Sequence, residues 1–232
     1  MASHPRILGP SLKTTLGNFL LLCFLVLPVM SCALQKHTVT PAARSSVEGR
    51  ALTFGVGQDD VVRAIAHMEV ITPERSFPVK AALTIKRPFY LRLEIIPLIG
   101  VPDLLLTVSP QRMKILIPSR KEFYSGRPTA NNLKKFLPWS MDIEDMVMIL
   151  TGTYPALKEN DIEYQVAHDE NLLRWDMNAP SGLSQTIWIG QDNNQLVKLV
   201  RKDEMGVELY RVQYTYDKKG DRFPEKIKII MD

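Results

Sequence analysis

The sequence contains little cysteine: its 232 residues include only Cys23 and Cys32. If the chain is cleaved after Ser31, the folded part holds no disulfide and no cysteine-based metal site. A disulfide scaffold is therefore excluded, and the domain must be stabilised by its own hydrophobic core. A mature chain of about 200 residues is long enough to bury such a core in one domain.

Signatures of catalysis are also scarce. Beyond residue 58 the only histidines are His67 and His168, and neither has a partner at zinc-ligand spacing. The sequence has no glycine-rich phosphate loop, no nucleophile elbow and no HExxH motif. We therefore predict no metal, no cofactor and no enzyme, although a hydrolase site assembled from distant residues stays open.

The charge balance argues against nucleic acid as a partner. The formal net charge is +4, and without Arg6 and Lys13 near the start the chain carries 27 basic against 25 acidic residues. The basic residues alternate with apolar ones, as at Lys80, Lys86 and Arg92, and form no cluster.

The first 31 residues have the pattern of a bacterial lipoprotein signal peptide. Two basic residues precede the apolar run Phe19–Met30, which is too short for a comfortable membrane span. The segment Val29–Cys32 resembles the lipoprotein signal box, which implies cleavage before Cys32 and its modification with fatty acyl groups such as palmitate. Two or more such chains anchor a protein stably. An uncleaved anchor or an ordinary secretory signal is the alternative.

Residues 32–58 are predicted to be a lipidated cysteine and a flexible tether, because they contain proline, serine and glycine with little periodicity. In enterobacterial lipoproteins an Asp after the cysteine retains the protein in the inner membrane, and here that position is Ala33. The sequence therefore predicts anchoring at the periplasmic face of the outer membrane. A short helix is predicted near 59–65, capped by Asp59 or Asp60.

Residues 59–232 read mainly as β-strands. Phe89, Leu91, Leu93 and Ile95 alternate with polar residues, the pattern of a half-buried antiparallel strand. We count about eleven such strands with turn signals between them, which predicts a barrel or a sandwich. Two helices interrupt them, at 131–137 and 143–151.

One turn is unusually apolar. Pro97–Pro102 joins two predicted strands and carries Leu98, Ile99 and Val101 with no charge, whereas turns are normally polar. This segment is a candidate membrane-insertion loop. The alternative is that it folds back and caps the end of the barrel.

The inward faces of the predicted strands and helices carry more apolar surface than a compact barrel needs. An incompletely closed barrel encloses a ligand cavity, in which acyl chains are held without directional chemistry. A filled core is the equally open alternative. The predicted cavity lining is Met68, Val79, Leu83, Phe89, Leu91, Leu93, Leu104, Leu106, Met113, Ile115, Met146, Leu150 and Trp175.

Three segments resemble the LolA/LolB family of lipoprotein localisation factors. They are the strand–Pro97-Leu98-Ile99-Gly100–strand unit, Phe123–Gly126, and the amphipathic region 133–150 followed by Gly152 and Pro155. The resemblance implies an open, half-closed antiparallel β-barrel with short helices as a lid over an apolar cavity. It also implies that Leu98 matches the protruding leucine of LolB, and Ile99 is an additional residue in that turn.

The function implied by the resemblance is binding of acyl chains, with acceptance of lipoproteins from a LolA-like periplasmic carrier and their insertion into the outer membrane. The chain is expected to act as a monomer at the membrane surface. The alternative is a non-catalytic structural or accessory lipoprotein that docks another envelope protein.

Overall fold

The alternating segments form twelve strands in the described part of the chain. The computed structural model describes residues 54–57, 59–71, 76–137 and 141–231. The strands are β1 Val61–Ile71, β2 Ser76–Lys86, β3 Tyr90–Ile96, β4 Leu104–Val108, β5 Met113–Ile117, β6 Glu122–Gly126, β7 Glu163–Asp169, β8 Leu172–Asn178, β9 Ser184–Gly190, β10 Leu196–Lys202, β11 Glu208–Thr215 and β12 Lys226–Ile230. The expected number of about eleven is therefore corrected to twelve.

The strands make two six-stranded antiparallel sheets, one from β1 to β6 and the other from β7 to β12. In both sheets each strand pairs with its neighbours in sequence, so both sheets are meanders. No strand pairing joins the two sheets among the described residues. The prediction of a mainly β, antiparallel fold is confirmed at this level.

Two short α-helices connect the sheets in sequence. Helix α1 spans Ala130–Leu133, and its N-cap Thr129 accepts a hydrogen bond from the Asn132 amide at 3.3 Å. Helix α2 spans Ile143–Leu150 and ends before Gly152, whose φ of +79° is a left-handed conformation that favours glycine. A single 3₁₀ turn, Pro118–Arg120, lies between β5 and β6. None of the helices in the described ranges is long and apolar enough to cross a bilayer.

The inner faces of both sheets and one face of α2 share a single hydrophobic core. Leu106 of the first sheet, Ile187 of the second sheet and Val147 of α2 are all fully buried in it. Since α2 supplies side chains to the same cluster as both sheets, the space between the inner faces is occupied by packed hydrocarbon.

The start of the described chain differs from expectation. The predicted helix near 59–65 is wrong, because β1 already begins at Val61 and pairs with β2 from there. Residues 54–57 fall in the predicted tether, yet Phe54 is buried and its ring lies edge-on to Tyr154 with centroids 5.8 Å apart. The Val56 amide donates to the Thr151 carbonyl at 3.3 Å, and Arg87 donates to the Val56 carbonyl.

The predictions for the signal peptide 1–31, for the lipidated Cys32 and for most of the tether 32–58 concern residues outside the described ranges. They stay predictions, as does the domain boundary at 58/59.

Candidate functional site

The connection between β3 and β4 exposes three aliphatic side chains. The hairpin is closed by the Asp103 amide, which donates to the Ile95 carbonyl at 2.9 Å. Beyond it, Leu98, Ile99 and Val101 are 104%, 92% and 67% exposed. The loop therefore does not fold back over its neighbours, and its apolar groups face solvent.

The backbone of this loop is adapted to a tight turn. Gly100 has a φ of +104°, a conformation that L side chains rarely adopt, and no atom lies near the position of an added Cβ. Pro97 and Pro102 flank the turn and restrict its backbone. The aliphatic groups are therefore presented by a constrained loop. We call Leu98, Ile99 and Val101 the tip.

A second apolar surface lies at the same end of the first sheet. Strand register places Leu105, Leu116 and Phe123 side by side across β4, β5 and β6, on the face opposite the core. Phe123 is 65% exposed and Leu116 is 39% exposed. We call these three residues the outer stripe. Sequence reasoning missed the outer stripe, although its signal was present: each residue is apolar at a position where the alternation expects a polar one.

The residues predicted to line a cavity converge in the structure. Seven of them are buried in the core, namely Leu91, Leu93, Leu104, Leu106, Met113, Ile115 and Met146. Five more are partly buried and pack against the core, namely Met68, Leu83, Phe89, Leu150 and Trp175. Val79 pairs with Met68 and is half-buried. Most of the residues predicted to line a cavity therefore belong to one core or pack against it. Their role as a ligand lining stays a prediction.

A buried cluster of charged and polar side chains lies within this apolar interior. Asp145 of α2, Arg201 of β10 and Tyr210 of β11 are all buried. Arg201 Nη1 donates to Asp145 Oδ2 at 3.0 Å, and the Tyr210 hydroxyl donates to the same oxygen at 2.8 Å. We call these residues the buried triad. The triad ties α2 to the second sheet, because both partners of Asp145 lie on that sheet.

Burial and neighbouring charges shift the pKa values of the buried triad. It raises the pKa of Asp145, and the Arg201 charge opposes that shift. Burial, reinforced by the nearby Asp145 carboxylate, also raises the pKa of Tyr210. Tyr210 is therefore a stable hydrogen-bond donor at neutral pH.

The segment after α2 is also held to the second sheet. The Tyr214 hydroxyl donates to the Thr153 carbonyl at 2.7 Å, and Gln185 Nε2 donates to the Pro155 carbonyl at 2.9 Å. Helix α2 and its C-terminal extension therefore depend on polar contacts to the second sheet at three points. Sequence reasoning missed these contacts, since each joins residues at least 30 positions apart.

The buried tyrosines predict a loss of stability at alkaline pH. Burial raises the pKa of Tyr216 to about 12 and that of Tyr214 well above its ordinary value of 10.0. Because the folded state holds these protons more tightly, their contribution to stability is complete below pH 10 and is lost as the pH rises towards 12 and beyond. The urea concentration at the unfolding midpoint is therefore expected to decrease as the pH is raised from about 10 to about 12. Tyr214→Phe should reduce that fall, and an unchanged midpoint in the wild type would contradict the prediction.

The second sheet also bears a polar cleft of about 280 Å³ on its outer face. Asp176 in this cleft is already paired, accepting from Arg174 Nε at 2.9 Å and from the Thr186 hydroxyl at 2.8 Å. The cleft is lined by Gln165, Asp176, Asn178, Ser184, Thr186, Val200 and Lys202. It contains none of the predicted site residues. No group of three or more acidic, His or Cys side chains arranged to hold a metal occurs in the described part of the chain.

Comparison with known proteins defines the fold. No protein-family model matches the chain, and no curated protein matches it. A domain described as outer membrane lipoprotein-sorting, from Vibrio parahaemolyticus, aligns with a TM-score of 0.50 and 14% identity over 75% of this chain and 79% of the other. A DUF1329 family protein from Desulfovibrio piger aligns with a TM-score of 0.50 and 12% identity over the same shares.

A LolA superfamily protein from Nitrosomonas europaea aligns with a TM-score of 0.49 and 13% identity over 77% of this chain and 80% of the other. The chain shares the fold of the outer membrane lipoprotein-sorting domain, in agreement with the family that the sequence resemblance implies, while the half-closed barrel and the helical lid stay predictions.

Proposed function

We propose that this protein is an envelope lipoprotein that binds acyl chains between its two sheets and contacts the outer membrane through the tip. The observation that carries the proposal is the exposure of Leu98, Ile99 and Val101 on a constrained, uncharged loop. An exposed apolar loop of this kind is typical of a surface that meets hydrocarbon.

In this proposal the two meanders are the walls of a half-open barrel and α2 is its lid. The interior between them is hydrocarbon from both sheets and from α2. An acyl chain that enters between the sheets beside α2 meets this apolar surface and is held mainly by desolvation and dispersion. Ligand transfer in this mechanism is a binding process, and no bond is made or broken.

The predicted lipid on Cys32 and the predicted tether place the domain at the periplasmic face of the outer membrane. The tip then needs only to orient a protein that is already held there. Burial of Leu98 and Ile99 contributes roughly 3–6 kcal/mol at most. A LolA-like periplasmic carrier that delivers lipoproteins is the partner consistent with this arrangement.

The packed interior favours a second candidate function. Leu106, Ile187 and Val147 have no exposed surface, as expected for a filled core. In this alternative the protein is a structural or accessory lipoprotein, and the outer stripe with its exposed Phe123 is the surface that docks an envelope protein.

Native mass spectrometry separates the two candidates. The chain without the predicted signal peptide 1–31 and with Cys32→Ser, called the Cys32→Ser chain, lacks both the apolar run and the predicted lipid attachment, so any bound lipid must be non-covalent. After purification from bacterial cells without detergent, the carrier proposal predicts masses raised by bound phospholipid or fatty acid, and saturable binding of a fluorescent palmitoyl probe. A clean protein mass together with absence of probe binding would overturn the carrier proposal and favour the docking protein.

A further inference from the structure

Two buried polar atoms on the inner face of the second sheet lack a hydrogen-bond partner. Trp175 Nε1 and Gln185 Oε1 are both shielded from solvent, and neither has a partner among the described residues. Buried donors and acceptors in folded proteins are almost always paired. An unpaired donor and an unpaired acceptor on one face therefore need an explanation.

The sheet register brings these two residues together. Trp175 on β8 pairs with Ile187 on β9, and Gln185 on β9 pairs with Met177 on β8. Trp175 and Gln185 are thus diagonal neighbours on one face, a spacing of roughly 7–8 Å that long side chains can bridge. Ile187 and Met177 belong to the buried core, which places this face inside the protein.

The neighbouring contacts show which atom of Gln185 is unpaired and how the sheet pairs another indole N–H. Gln185 Nε2 is fixed by the Pro155 carbonyl at 2.9 Å, which fixes the amide orientation and leaves Oε1 as the free end. On the outer face of the same sheet, Trp188 Nε1 donates to Asp169 Oδ2 at 3.0 Å. The sheet can therefore satisfy an indole N–H, yet the inward-facing indole is left unpaired.

We infer that Trp175 and Gln185 form a polar subsite for the amide linkage of an N-acyl chain. A secondary amide offers one acceptor and one donor: its carbonyl accepts from Trp175 Nε1, and its N–H donates to Gln185 Oε1. The acyl tail lies in the apolar interior beside them. This inference rests on the proposed function, and it adds recognition of the group that links the chain to its carrier molecule.

The subsite distinguishes amides from esters. An ester presents a carbonyl to Trp175 but has no N–H for Gln185, so the Gln185 acceptor stays unpaired when an ester is bound. Since Oε1 is already unpaired in the free protein, the amide gains a hydrogen bond at this atom that the ester does not gain. The Cys32→Ser chain is therefore expected to bind N-methylpalmitamide about 5- to 10-fold more tightly than methyl palmitate.

The test compares these two probes across variants of the Cys32→Ser chain. Trp175→Phe removes the N–H and keeps an aromatic ring, and it should weaken binding of both probes about 5- to 10-fold. Gln185→Met should abolish the preference for the amide. The matched control Trp188→Phe, on the outer face, should leave both affinities unchanged. Titration of each probe by competition with a fluorescent palmitoyl ligand gives the dissociation constants.

The outcomes separate this inference from the proposed function. If the Cys32→Ser chain binds both probes and Trp175→Phe binds them equally well, the subsite is refuted while acyl binding stands. The subsite is likewise refuted if that chain shows no preference for the amide. If it binds neither probe, acyl binding itself fails. Melting temperatures of all variants, measured alongside, show that weaker binding is not caused by unfolding.

Discussion

The double variant Leu98→Glu, Ile99→Glu is expected to lose binding to phospholipid vesicles. Burial of one such side chain contributes about 1.5–3 kcal/mol, so removal of both lowers the partition coefficient by a factor of roughly 10² to 10⁴. Both side chains lie almost entirely in solvent, and their replacement should therefore leave the melting temperature unchanged. Vesicle flotation with the Cys32→Ser chain measures the effect without the contribution of the lipid anchor.

A matched control is available on the second sheet. Met205 lies between β10 and β11 and is 83% exposed, so Met205→Glu adds a charge at an exposed apolar residue away from the tip. We expect this variant to float with vesicles as the parent chain does. If the double tip variant also floats normally, the tip is not the membrane contact. If it unfolds, the tip packs inward in solution.

The second large effect concerns the buried triad. Asp145→Ala leaves the Arg201 charge buried without its carboxylate and deprives the Tyr210 hydroxyl of its acceptor. Removal of one partner of a buried pair typically costs about 3–5 kcal/mol. The free energy of unfolding, measured by urea denaturation, is expected to fall by that amount.

The triple variant Asp145→Leu, Arg201→Met, Tyr210→Phe removes every polar group of the triad and should recover most of the loss, since replacing buried ionic groups with apolar ones is often neutral or stabilising by about 1–4 kcal/mol. The exposed pair Lys219–Asp192 is the control, with nitrogen and oxygen 3.5 Å apart. Asp192→Ala should change stability by about 0–1 kcal/mol. Equal losses from Asp145→Ala and from the triple variant would contradict the expectation that the loss comes from an unpaired Arg201 charge.

Features that depend on neighbouring residues were predictable from the sequence. Period-two alternation identified the strands, because a half-buried strand must place its apolar side chains on one face. Helix α2 was predicted at 143–151 and is found at Ile143–Leu150. Its end was predictable because Gly152 is a typical residue just after a helix C-terminus. The tip was recognised because it is apolar within a turn flanked by prolines.

Features that depend on distant partners were not predictable. The triad joins Asp145 to Arg201 across 56 positions and to Tyr210 across 65, and no local pattern marks such pairs. The helix expected near 59–65 shows how a local signal misleads. Asp60 does accept a backbone hydrogen bond, from the Gly57 amide at 2.8 Å, but this contact caps a turn that leads into β1.

The meander order of both sheets has a consequence for biogenesis. A strand that pairs only with its neighbours in sequence closes short loops, which favours rapid folding. If the chain is exported N-terminus first, as the predicted signal peptide requires, strands β1 to β6 can pair with one another before β7 has crossed the inner membrane. At that stage the apolar inner face of the first sheet is not yet covered by the second sheet, and the partners of α2 on β10 and β11 are still to come.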